Sequence, residues 1–247
     1  MSTITETGHA KNVGNFEKLI ANVTVLGAPY NPSRSSLKLP ELNALLIAAK
    51  TAIQAVNASE AVFKSAVSAR KVAFAQFGKL ITRVNNALKA SGTNARVNES
   101  AGSLVRKLQG RRATPKMTDE EKQAAAETGN TVTEISSSQM SFDNRIDNFD
   151  KLIMLLTSIA AYAPNEEDLT IAALTNLHND LKAKNTAVIA AQIPLANARI
   201  ARNNVLYNEN TGMVDISIAV KTYIKSVFGA RSPQYNMISS LRFTMHK

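Results

Sequence analysis

The sequence contains no cysteine and no tryptophan among its 247 residues. Without cysteine there is no disulfide framework, no thiol catalysis and no cysteine-ligated zinc. Aromatic residues make up only 5%, poor material for a sandwich or barrel core. Ten glycines and seven prolines are few for this length. Histidine occurs three times, at His9, His178 and His246, and never in the Glu-x-x-His pairs that hold di-iron sites in bundles. No nucleophile elbow, phosphate-binding glycine loop or dinucleotide fingerprint is present. The longest apolar run, Leu152–Ala163, is about a dozen residues, against the roughly 20 that a helix needs to cross a bilayer. The segment Met1–Lys11 is polar and does not read as a secretory signal. These absences lead us to expect a cytoplasmic, non-enzymatic protein with no metal and no cofactor.

What is present points to helices. Hydrophobic residues make up 45%, a globular composition, and alanine is frequent, as helix-rich chains favour. The length suits one large domain or two small ones. The net charge is +10 and uneven. Met1–Lys116 holds 17 Lys/Arg against 5 Asp/Glu, a net +12, whereas Met117–Lys247 holds 12 against 14, a net −2. Such asymmetry suits either an anionic partner or two halves that attract each other.

An internal repeat is visible. Asn15-Phe16-Glu17-Lys18-Leu19-Ile20 recurs as Asn148-Phe149-Asp150-Lys151-Leu152-Ile153. Tyr30-Asn31-Pro32 is followed 132 residues later by Tyr162-Ala163-Pro164. At that same offset Leu37 meets Leu169, Leu42 meets Leu174, Val56 meets Val188, Phe63 meets Leu195 and Arg70 meets Arg202. Gly92 and Gly229 close helical stretches at a wider offset, which fits a small insertion near Asn208–Gly212. Each copy predicts an opening helix, near Val13–Leu26 and Phe142–Ala161, then a break at the Tyr-x-Pro, because a residue before proline avoids the helical region.

A long helix follows in each copy. Apolar and small residues recur at 3-4 spacing from Leu42 to Phe77 and from Leu174 to Val205, which predicts one continuous helix in each copy, roughly 54 Å long for the 36 residues of the first. Pro40 suits a first helical position. Asn165 reads as the cap of the second long helix, with Glu166, Glu167 and Asp168 in its first turn, and Pro194 predicts a kink. Further helices are expected near Lys79–Ser91 and Val214–Phe228. Thr118-Asp119-Glu120-Glu121 reads as a capping box opening a short helix to about Glu127, and the tail after Gly229 reads as irregular or extended.

The resulting expectation is all-α: an elongated helical bundle of two duplicated units, with long central helices related by a pseudo-twofold. The repeats cover residues 12–109 and 141–247, a polar connector with a short helix covers 110–140, and the two repeats pack as one bundle.

Candidate contact residues are few. Arg70 and Arg202 fall at equivalent seam positions. Each either lays its aliphatic stem on the core or forms one of a pair of anion or partner sites. Arg106, Lys107, Arg111, Arg112 and Lys116 form a basic cluster, with Lys71, Lys79, Arg83, Lys89 and Arg96 upstream. The cluster is either a solvated connector or a contact for phosphate backbones, acidic proteins or a membrane surface. No aromatic interleaves with it, so base stacking is not indicated. Asp143, Asp147 and Asp150 read as a solvated helix face, His178 as a surface or boundary residue, and Leu152–Ala163 as a helix buried on all sides rather than a pore-forming segment. A structural or interaction protein, working through self-association or a protein partner, is the leading expectation. Sequence-independent nucleic-acid binding by the basic half is the alternative, a helical pore former comes third, and no small-molecule substrate is indicated.

Overall fold

The computed structural model describes residues 7–111, 118–127 and 140–246. Among them every regular element is helical: α1 (Thr7–Leu26), α2 (Leu39–Ala73), α3 (Phe77–Ala90), α4 (Ala95–Gln109), α5 (Asp119–Glu127), α6 (Phe142–Thr157), α7 (Ile171–Tyr207), α8 (Met213–Phe228) and α9 (Pro233–Ser239). Short 3-10 turns, Ser35–Leu37 and Glu167–Leu169, precede the two long helices. The helical bundle and its long packed helices are as the 3-4 spacing predicts.

The chain forms two compact units. The first takes its described residues from 1–64 and 191–247, the second from 65–190. Neither unit is a contiguous stretch of chain: the first holds residues 39–64 of α2 and 191–207 of α7, the second residues 65–73 of α2 and 171–190 of α7.

The core of the first unit joins Phe16, Leu19 and Val23 of α1, Leu42 and Ala49 of α2, Leu206 of α7, and Met213, Ile216, Val220 and Ile224 of α8. The core of the second joins Phe77, Ile81 and Leu88 of α3, Val105 and Leu108 of α4, Phe149, Leu152 and Leu156 of α6, and Leu174 and Leu181 of α7. Each of the large side chains here contributes about 1.5–3 kcal/mol by leaving water. That burial, rather than intrinsic propensity, holds helices of this length in place.

The entry to each long helix is built from a tyrosine. Tyr30 donates its buried hydroxyl to the Leu37 carbonyl at 2.7 Å, and Tyr162 donates to the Leu169 carbonyl at 2.8 Å. These bonds fold the Tyr-x-Pro segment back under the core, so Leu37 and Leu169 are buried before the helix can start. The start of α7 therefore differs from expectation. Glu167 and Asp168 lie in the 3-10 turn, and Thr170 caps the helix, its Oγ1 accepting from the Ala173 N–H at 3.2 Å. Asn165 is too far upstream to cap a helix that opens at Ile171. Pro40 is the second residue of α2 rather than the first.

Other corrections are local. α2 ends at Ala73, and residues 74–76 form the turn into α3. Pro194, where a kink is expected, does not end α7; it is exposed between the buried Ala191 and Leu195. α6 stops at Thr157. The run Leu152–Ala163 is buried on one side only, with Leu152, Ile153 and Leu156 in the core and Met154 63% exposed. α4 has no counterpart among the expected elements, although it is capped at both ends. Asn94 accepts from the Val97 N–H at 3.0 Å, and Gly110 closes the helix at φ +67°.

The tail is partly helical (α9), and it docks. Ile238 enters the core of the first unit, with Leu241 and Phe243 packed against it. Asn12 both donates to the Thr244 carbonyl (2.7 Å) and accepts from its N–H (3.1 Å), while Asn15 donates to the Arg242 carbonyl at 2.8 Å. Lys221 donates to the carbonyls of Ser239 and Leu241. Burial of Lys221 holds its ammonium pKa below the ordinary lysine range.

Candidate functional site

Arg70 and Arg202 have different surroundings despite their matching positions. Arg70, in the second unit, stacks its guanidinium 3.9 Å from the Phe142 ring centroid. It donates to Asn185 Oδ1 at 2.7 Å, and the buried Asn185 in turn donates to Asp143 at 2.7 Å. Arg70 is thus tied by a neutral bridge to a carboxylate, and Asp143, itself exposed, is the acid at the end of this relay. Asp147 pairs with Lys151. Arg202, in the first unit, is 2% exposed and donates from Nε and Nη2 to Asn203 Oδ1.

Of the basic cluster, Arg112 and Lys116 lie outside the described residues. Arg106 and Lys107 occupy the last turn of α4, where positive charge complements the helix dipole. Arg106 is half-buried and Lys107 exposed. Arg111, just beyond Gly110, lines a cleft of about 290 Å³ together with Gly78, Lys79, Thr82, Gln109, Met140 and Arg145. Three cations face this space, and no carboxylate is among its described lining residues.

Arg145 is the residue that sequence reasoning missed. It stands one turn into α6, half-buried, with its guanidinium 4.8 Å from the Phe74 ring and 4.9 Å from the Phe77 ring. Its Nε is buried without a hydrogen-bond partner. Burial pushes its pKa below the ordinary arginine range. In the sequence it stands among Asp143, Asp147 and Asp150, the stretch read as a solvated helix face. The fold turns it inward onto a phenylalanine cluster instead. Only the aromatic spacing of Phe74, Phe77, Phe142 and Phe149 could have signalled that.

The neighbouring cleft is of another kind. It holds about 590 Å³ and is lined by Arg83, Asn86, Tyr162, Pro164 and Glu166, and Arg83 pairs there with Asp168 through both of its terminal nitrogens. That cation is already matched. His178 is half-buried, with its ring 6.2 Å from that of Phe149. Among the described residues no group of three His, Asp or Glu could hold a metal ion, and no helix is long and apolar enough to cross a membrane.

The first unit carries exposed apolar surface instead. Nine of the thirteen large apolar side chains that stand exposed among the described residues belong to it, including Ile47 (66%) and Val62 (61%) on α2. The compact units also divide the charge differently from the sequence halves. The first has 13 Lys/Arg and 6 Asp/Glu, the second 16 and 13, so both are net positive, at +7 and +3. Compared with protein-family models, with curated proteins and with solved structures, the chain matches none.

Proposed function

We propose that this chain is a non-enzymatic helical scaffold that acts in the cytoplasm through protein contacts, first of all by self-association. One observation carries the reading: over residues 42–62, α2 has two uncharged seams. The inner seam contains Leu42, Ala49 and Val56, all fully buried. The outer seam lies two residues out of step, hence about 200° round the helix. It runs Ala44, Ala48, Thr51, Ala55, Ala58, Val62, and every member is exposed. Its 4-3-4-3-4 spacing is that of a coiled-coil seam, and its small side chains allow a second helix to approach closely. The eighteen residue steps from Ala44 to Val62 give a contact line of about 27 Å. A second copy of the same neutral face fits it without opposing charges to satisfy.

The expected test variant is Ala55→Arg. Arginine is a good helix former, so the helix persists while a charge enters the seam. Loss of self-association with unchanged circular dichroism supports the reading. Unchanged self-association removes α2 as the interface.

We further infer that the two repeats descend from one duplicated unit related by a pseudo-twofold. Matched burial supports this: Phe16 with Phe149, Leu19 with Leu152, Leu42 with Leu174 and Val56 with Val188 are all 5% exposed or less. So do the two tyrosine-closed turns. Ring pairs also recur, His9 with Tyr207 at 5.6 Å and Phe142 with Phe74 at 4.9 Å. Each pair joins the first turn of a repeat's opening helix to the far end of a long helix. The alternative reading is sequence-independent nucleic-acid binding through the basic half, and a salt titration of binding to generic DNA and RNA tests it.

A further inference from the structure

We propose that the cleft framed by Lys79, Arg111 and Arg145 binds a dianionic phosphate group, as free orthophosphate or as the terminal monoester of a small molecule. Three features point the same way. First, the lining holds three cations and no described carboxylate. Second, Arg145 is held in place by Phe74 and Phe77 with its Nε buried and unpartnered. This half-buried guanidinium has no acid partner among the described residues, so an anion that reaches it is bound against little competition. Guanidinium groups also match phosphate oxygens geometrically. Third, Gly78 and Lys79 stand in the first turn of α3, whose dipole favours an anion. A Cβ added at Gly78 would meet nothing within 4 Å, so the space beside the backbone is open. The volume, about 290 Å³, is at the small end of ligand pockets, roughly 300–1,000 Å³. That suits a phosphate with a short substituent rather than a polymer. Thr82 and Gln109 hydrogen-bond to each other at 2.8 Å on the lining and leave one amide proton of Gln109 for the ligand.

The experiment is calorimetric titration of the whole chain, freed of nucleic acid, at fixed ionic strength. The probes are orthophosphate, phenyl phosphate and a short oligonucleotide without terminal phosphates, with chloride as the control. The central variant is Gly78→Glu, which places a competing carboxylate in the cleft while improving the helix. Expected are one-site binding of orthophosphate or phenyl phosphate and a loss of tenfold or more in Gly78→Glu, whose melting temperature does not fall. Lys79→Ala with Arg111→Ala, both exposed positions, should weaken binding at least tenfold in a folded protein. A tenfold preference for phenyl phosphate assigns the ligand as a monoester, and equal affinity assigns free phosphate. The proposal is overturned if neither probe binds, if chloride competes equally, if Gly78→Glu binds unchanged, or if only the oligonucleotide binds.

Discussion

Removing the hydroxyl of Tyr162 is a small change with a calculable effect. In Tyr162→Phe the ring stays in the core, but the Leu169 carbonyl loses its donor at 2.8 Å. An acceptor left unsatisfied on burial costs about 1–3 kcal/mol. Tyr30→Phe does the same to the Leu37 carbonyl, so the two variants should destabilise their own units by similar amounts. Alkaline pH gives a second readout. Burial, aided by Glu166 and Asp168, pushes the Tyr162 hydroxyl up to about 12 from an ordinary 10. The folded-state value is raised, so this contribution to stability is complete below pH 10 and is lost as pH rises from 10 to 12. At about 1.4 kcal/mol per pH unit the loss is at most roughly 3 kcal/mol. Tyr162→Phe should remove that alkaline slope from the second unit. Amide exchange followed by mass spectrometry reads each unit separately. A loss under about 0.5 kcal/mol, or an alkaline slope unchanged by the substitution, would refute the reasoning.

Two further outcomes follow from local geometry. Arg70→Met should cost about 3 kcal/mol in urea unfolding, since it removes a charge-assisted bond to Asn185 and the stacking on Phe142; a neutral or stabilising result would mean that Arg70 is held for a ligand instead. Gly110→Ala should cost about 1–2 kcal/mol, because Gly110 sits at φ +67° and a Cβ there would meet Met140 Sδ at 2.8 Å; an unchanged melting temperature would contradict that geometry.

The helical class and the long helices were legible in the sequence because a 3-4 pattern held in phase over each long helix admits no other regular structure. The breaks were legible because Tyr-x-Pro has a mechanism. The start of α7 was not, because Asn165 and Thr170 are both good caps and only the burial of Leu169 decides between them. α4 was missed because its first turns, Ala95-Arg96-Val97-Asn98-Glu99-Ser100, are polar outside Ala95 and Val97, and its apolar face (Ala101, Val105, Leu108) is short and is buried only by packing in the second core. The cationic cleft was half legible. Arg111 and Lys79 stood out as basic, but Arg145 lies in the stretch read as a solvated helix face, and no local pattern places a guanidinium against rings that lie about 70 residues upstream.

The most direct test of the scaffold reading is light scattering after size exclusion, on nucleic-acid-free protein at low and high salt, with Ala55→Arg alongside. Both compact units are net positive, and the α2 seam is neutral. The expected result is therefore a native protein larger than a monomer whose mass holds or grows at high salt, and a monomeric Ala55→Arg. A native protein that stays monomeric at high concentration in both salts would contradict self-association as its mode of action.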